Sequence, residues 1–240
     1  MKSFCQLFLA FVLLGGIALA AAPASVVIRV PTGTPQPAEL APLLAQWRQS
    51  GQISSALLLT QGKSENPERT AKFEAFAVLE FPSENSADTW QREAAPSLPK
   101  GLIVRRADAL VHGELSPRDS SHSVFIVNTY TPLVSRDRYN EFAQGYIKPL
   151  YAAMQATKHL VRYTMYHERG ETGKVDALTV LEYRDAAALA AMGTMKTAIR
   201  DQVAAAFPSY TQFDKIKDTL RIDGHGSFGT YAELPQPRPE

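Results

Sequence analysis

The sequence predicts an α+β protein made of two βαββαβ units in tandem, and three observations lead there. Phe76, Ala77, Val78, Leu79, Glu80, Phe81, Pro82 and Ser83 return later as Leu178, Thr179, Val180, Leu181, Glu182, Tyr183, Arg184 and Asp185. Ser25, Val26 and Ile28 likewise fall on Ser123, Val124 and Ile126. Both halves also read strand, helix, strand, strand, helix, strand, the order of a ferredoxin-like unit.

Residues 25–30 read as a strand because Val26, Val27, Ile28 and Val30 are β-branched and Pro31 ends the ladder. Over 38–49, Leu40, Leu43, Leu44 and Trp47 recur at helical spacing, and Gly51 stands where a C-terminal helix glycine belongs. Strands follow at 54–60 and 72–81, separated by a polar loop with Gly62 and Pro67. Pro82 and Ser83 open a short helix carrying Ala87 and Trp90, and 102–112 closes the unit. In the second half the strand 123–131 precedes a helix over 136–157, with Pro149 expected to kink it. Strands at 159–168 and 174–183 flank a turn at 170–173, and Asp185 suits the N-cap of an alanine-rich helix. Gly193 is expected to break that helix, and 220–223 with 227–232 supplies the last strand. The expected organisation is a first unit over 25–115, a linker over 116–122, a second unit over 123–234 and an extended, proline-rich tail over 235–240.

Residues 1–24 have the charged start, short apolar run and Ala-x-Ala sites of a secretory signal peptide, which predicts export to the periplasm or extracellular space. The only cysteine, Cys5, falls inside that segment, so the mature chain is expected to hold no disulfide or thiolate nucleophile. A net charge of +1 with 20% charged residues gives no basic excess for nucleic acid. No second long apolar run suggests a membrane span after cleavage. No His-Glu-x-x-His run or paired ligand spacing points to a metal, and no Gly-x-Ser-x-Gly elbow or dinucleotide loop is present.

Parity sorts the repeated strand into two faces. Leu79 and Phe81, like Leu181 and Tyr183, share one face, and Glu80 and Glu182 the other. A face under helices should be apolar, because an unpaired buried carboxylate costs several kcal/mol. The acid-bearing face therefore points toward the space between the two sheets or toward solvent. The junction Leu79, Glu80, Phe81, Pro82, Ser83, with Ala87 and Trp90 following, resembles the strand-to-helix junction of the dimeric α/β-barrel superfamily. That group includes antibiotic-biosynthesis-type monooxygenases, muconolactone-isomerase-like proteins, haem-binding relatives and uncharacterised exported families. The resemblance implies two ferredoxin-like antiparallel sheets packed face to face around a cavity, here as an intramolecular dimeric α/β barrel. In the second copy Arg184 and Asp185 stand in place of Pro82 and Ser83.

All nine tyrosines lie between Tyr130 and Tyr231, which suggests that the second half carries the pocket. If Arg169 pairs with Lys174, then His167 faces Asp176, Met165 faces Leu178 and Tyr163 faces Val180. That register places Tyr163, Met165 and His167 on the inner face beside Glu182. A slip of one residue would instead put Arg162, Thr164 and Tyr166 inside. His167, Tyr163 and Glu182 are the candidate catalytic groups, His167 with Asp176 forming a possible acid/base pair. Glu80, Asn128, Tyr130, Met165 and Asp176 are candidate ligand contacts. No cofactor is specified, although a single histidine could ligate haem. The expected function is that of a monomer or homodimer that binds a small, partly apolar molecule, of cofactor-independent oxygenase or isomerase type. The rival is a non-catalytic binding or interaction module without an enclosed pocket.

Overall fold

The structure, a computed structural model, describes residues 24–33, 37–61, 73–116, 121–223 and 229–233. The expected signal peptide, His225 and the tail lie outside the described residues, apart from Ala24. Nine strands form one antiparallel sheet: β1 (Ala24–Pro31), β2 (Ser55–Gln61), β3 (Phe73–Phe81), β4 (Ile103–Glu114), β5 (Val124–Pro132), β6 (Leu160–Glu168), β7 (Ala177–Tyr183), β8 (Arg221–Asp223) and β9 (Gly229–Glu233). Their order is β7-β6-β4-β1-β3-β2-β9-β5-β8, and β5 also pairs with β7, so the sheet closes on itself. The ring crosses between the halves twice, at β4 with β6 and at β2 with β9. Helices α1 (Pro37–Gln49) and α2 (Glu84–Glu93) lie outside the first half. Outside the second are α3 (Arg136–Phe142), α4 (Lys148–Ala156), α5 (Ala186–Ala206) and α6 (Pro208–Leu220). Among the described residues no helix is long and apolar enough to cross a membrane.

Each strand contributes to two layers because its side chains alternate. On the outer face of the first half, Val26, Ile28, Leu79 and Phe81 pack against Leu40, Leu44, Trp47 and Trp90. On the inner face Val27, Leu59, Phe76, Val78, Phe125, Val127, Tyr166, Leu178 and Val180 meet in the lumen, nearly all of them fully buried. An eight-membered strand ring has an interior just wide enough for side chains to fill. The middle of the expected cavity between the sheets is therefore filled by a packed core.

Charged groups occupy the two ends of this lumen. At one end the Arg29 guanidinium donates to Glu168 at 3.0 Å and also engages Asp176. At the other, Arg162 pairs with Glu182 at 2.9 Å, Ser123 Oγ donates to Glu182 at 2.8 Å, and Ser55 Oγ donates to Glu80 at 2.7 Å. Glu80 and Glu182 thus face inward, while Leu79 and Phe81 sit beneath helices.

The register of β6 differs from the one expected. His167 lies opposite Ala177, Met165 opposite Thr179 and Tyr163 opposite Leu181. Two features cause this: β6 and β7 are joined by the long connection between Glu168 and Ala177, and a bulge separates Leu160 from Arg162. A one-residue shift exchanges the faces of a strand. Arg162, Thr164 and Tyr166 accordingly point into the lumen, and Tyr163 and Met165 join the core under the helices.

Helix ends follow local chemistry. Ser83 Oγ accepts from the Ser86 N–H at 3.1 Å and Asp185 Oδ1 from the Ala188 N–H at 2.7 Å, satisfying first-turn donors. Gly193 does not break α5, which continues to Ala206 before Pro208 starts α6. The expected single helix over 136–157 is divided by a π-helical turn at Ala143–Ile147. Pro149 has no N–H for the Gly145 carbonyl, which accepts from Ser209 Oγ at 3.2 Å instead. That exchange ties α6 to the π turn, and Gly145 admits the Phe213 ring: an added Cβ would lie 2.6 Å from it.

Candidate functional site

A cavity of about 330 Å³ lies on the outer face of the second half, between its strands and the helices above them. Strands and helices both place its walls, β7 adding Leu181 and Tyr183 and β8 adding Arg221 and Asp223. From β5 come Ile126, Asn128 and Tyr130, the outward-facing alternate positions. The π turn and α4 supply Tyr146, Ile147, Leu150, Tyr151 and Met154, while α5 supplies Leu189, Met192, Gly193, Lys196 and Arg200. Tyr146 within the π turn and Tyr151 in α4 both line the space. Tyr146 is held by stacking on Tyr210, with centroids 4.6 Å apart, and by donating its hydroxyl to Asp214 at 3.0 Å.

Asn128 and Arg221 set the polarity of the floor. Asn128, only 6% exposed, donates from Nδ2 to Thr179 Oγ1 at 3.1 Å, and its Oδ1 has no partner among the described residues. Arg221 lies with its guanidinium carbon 3.8 Å from the Tyr130 ring centroid and 5.2 Å from that of Phe142. Its side chain is 11% exposed; Nε lies 3.5 Å from the well-exposed Asp223 carboxylate, and Nη1 is buried without a partner among the described residues. Buried polar atoms in native proteins almost always have partners, so two orphans at one cavity are informative.

The phenols around the cavity are held neutral. Burial raises Tyr130 and, more strongly, Tyr151, and it pushes Tyr183 up to about 12. Tyr146 is raised by burial and then by neighbouring Tyr210 and Asp214. These groups therefore act as hydrogen-bond donors rather than bases. At the exposed rim, partial enclosure and then the charge of Arg200 lower Lys196 below the ordinary lysine value. No histidine lines the cavity. Among the described residues no group of three or more His, Cys, Asp or Glu side chains is placed to hold a metal.

The residues expected to form one site are distributed over three places. Asn128 and Tyr130 line the cavity. Tyr163 and Met165 are buried behind it: the Tyr163 ring lies 5.6 Å from that of Tyr151 and covers Gly113, while Met165 is fully enclosed. His167 is on that same outer side, 5.4 Å from the Tyr139 ring, with neither ring nitrogen partnered among the described residues. Burial lowers its pKa, so it is neutral at pH 7. Glu182 and Glu80 are in the lumen, where Glu80, Arg162, Thr164 and Tyr166 help to line a recess of about 220 Å³ and Glu182 is bound by Arg162. Asp176 is at the opposite lumen end, bound to Arg29 and receiving a 3.3 Å hydrogen bond from Thr131. The expected convergence of His167, Tyr163 and Glu182, and the pairing of His167 with Asp176, are thus corrected by the register of β6. The residues that sequence reasoning passed over are Arg221, Lys196, Arg200, Tyr146, Tyr151 and Tyr183. The signal available for them was the concentration of tyrosines in the second half.

A closed ring of antiparallel strands with helices packed outside defines the dimeric α/β-barrel fold, here within a single chain. Solved structures share it. A protein provisionally named a monooxygenase, from Lactobacillus acidophilus NCFM, superposes with a TM-score of 0.50 at 10% identity, over 88% of this chain and 94% of its own. An anthrone oxidase-like protein superposes with a TM-score of 0.53 at 7% identity, over 89% of this chain and 91% of its own. At such identities the likeness concerns fold alone. No protein-family model matches the sequence, and no curated protein is similar to it in sequence.

Proposed function

We propose that this protein is an exported, small-molecule-binding α/β barrel of cofactor-independent oxygenase or isomerase type, and that its ligand occupies the cavity beneath α4 and α5. The observation carrying this reading is the 330 Å³ space itself, apolar on most of its wall, with the unpartnered Asn128 Oδ1 and Arg221 Nη1 at its floor. Ligand pockets have this composition: mostly apolar lining and a few converging polar groups, in a volume from about 300 Å³ upward. The oxygenase element draws support from the names of the two fold neighbours. Export rests on the apolar segment within residues 1–24. The division into two ferredoxin-like units, 25–115 and 123–234, rests on the repeated strand motif and on the same element order in both halves. The non-catalytic module without an enclosed pocket is disfavoured by the cavity.

Thermal melting of the protein against aromatic acids, quinones and haem tests this reading. A ligand present at a hundred times its Kd stabilises by about 2.7 kcal/mol, which for a chain of this size is a shift of about 5–10 °C. The shift should vanish in Gly193→Phe, whose ring fills the cavity from α5. A panel without any shift, or a shift unchanged in Gly193→Phe, defeats the reading.

A further inference from the structure

The charges around the cavity do not balance. Its lining holds Lys196, Arg200 and Arg221 against a single acid, Asp223. Asp223 is 66% exposed and touches Arg221 only through Nε, at 3.5 Å. The rim cations have little else to neutralise them. Arg200 lies near enough to Asp214 to contribute to its lowered pKa, but that carboxylate is already bound by Lys217 at 2.7 Å and Tyr146 at 3.0 Å. Lys196 has no acid among its influences, only burial and Arg200.

Arg221 is the most buried of the three and lies against two aromatic rings. The Tyr130 ring supports one face of the guanidinium at 3.8 Å, and Phe142 lies at 5.2 Å. Aromatic faces attract a cation without satisfying its N–H donors, so Nη1 is buried without a hydrogen bond among the described residues, and the Tyr139 hydroxyl, close enough to influence it, is unpartnered as well. A buried donor left without a hydrogen bond costs free energy that a ligand acceptor would recover. Asn128 Oδ1 is a second unpartnered atom in the same floor. The rest of the wall is apolar or phenolic, including Leu181, Met154, Met192, Tyr151 and Tyr183.

We infer that the natural ligand is an organic anion, a flat apolar body carrying an ionised oxygen group, and that Arg221 Nη1 is the donor that binds that oxygen. Asn128 Oδ1 accepts a hydrogen bond from a donor elsewhere on the ligand, the protonated phenols of Tyr130 and Tyr151 do not compete as anions, and Lys196 and Arg200 attract the ligand to the opening. The cavity volume stands at the low end for ligand sites and suits one or two fused rings. This inference rests on the cavity being the ligand site, as proposed above, and adds the charge class and the residue that selects it.

Isothermal titration of the protein with 2-naphthoate and with its neutral isostere 2-naphthamide tests it. Hydrogen bonds to charged groups correspond to about a tenfold to hundredfold preference. The acid should therefore bind about tenfold to hundredfold more tightly than the amide. Arg221→Gln should abolish that preference, and Arg221→Lys should keep part of it. If Arg221→Gln does not fold, the comparison of the two probes on the unaltered protein, with and without Lys196→Gln, still decides. The Lys196→Gln change should slow association of the acid more than that of the amide. An amide that binds as well as the acid, or acid binding unchanged in Arg221→Gln, overturns the inference and leaves the cavity as a site for a neutral ligand. Acid binding that persists in Gly193→Phe overturns the cavity reading itself.

Discussion

Glycine at position 193 is costly for α5, and the cost can be measured. The helix runs for 21 residues, Ala186–Ala206, and Gly193 stands well inside it. An alanine there should stabilise the helix by about 1 kcal/mol, because glycine loses more backbone freedom on folding and alanine is the best helix former. No other atom would oppose the change, since a Cβ built on Gly193 meets nothing within 4 Å. For a chain of this size 1 kcal/mol corresponds to a rise in Tm of about 2–4 °C. Gly193→Ala should therefore melt about 2–4 °C higher by calorimetry with the fold unaltered, and Gly193→Phe should also remain folded while losing ligand. Stability bought so simply and not taken is understandable if the empty space beside Gly193 is used. A fall in Tm on Gly193→Ala would refute this reasoning, because it would mean that the glycine is required by the backbone rather than by the cavity.

Other outcomes follow from the charged interior. Glu182→Gln should destabilise the protein by about 3–5 kcal/mol in denaturant titration, because it leaves Arg162 without its 2.9 Å partner at a fully buried position. Gly145→Ala should cost about 1–3 kcal/mol by overpacking against Phe213, and Phe213→Leu should restore part of the loss. The pH dependence follows from a surface network in which Arg169 binds Glu84 and Asp108. Hydrogen bonding from Arg169 lowers Glu84; burial opposes the shift at Asp108, but Arg169 and Arg136 outweigh it. For groups lowered on folding, the stabilisation is complete above the unfolded values, 4.5 for Glu84 and 3.8 for Asp108, and is lost as pH falls through the folded ones. Tm measured from pH 6 to pH 3 should fall, and Arg169→Gln should flatten that slope. Glu168, raised by burial, contributes with the opposite sign, its cost appearing as pH rises above 4.5.

The sequence was most legible where one local rule decides an arrangement. Parity along β3 and β7 placed Glu80 and Glu182 inward and Leu79 and Phe81 under helices, and a side-chain oxygen before a helix identified Ser83 and Asp185 as caps. It was least legible where a single inserted residue changes the outcome. The bulge between Leu160 and Arg162 and the long β6–β7 connection exchanged the faces of β6, and with them the expected positions of Tyr163 and His167. Spacing alone suggested that Gly193 would end a helix; packing along α5 overrides that preference. Arg221 could not be recognised in advance, because its importance comes from lying on Tyr130, a residue 91 positions away across β5 and β8. The location of the cavity depends on a π turn, which no hydrophobic period announces.

Closing the ring within one chain has a consequence for how the protein is made. Each half ends in strands whose hydrogen-bonding rows are completed only by the other, β4 by β6 and β2 by β9. Released alone, either half would present two bare rows of backbone donors and acceptors, the arrangement by which strands recruit further copies and aggregate. During synthesis the first half emerges in that condition, so its open rows must be shielded or left unformed until the second arrives. A cut in the connecting segment should leave both fragments associated, and two chains that trade halves would satisfy every row equally well, making an exchanged dimer the natural misassembly of this architecture.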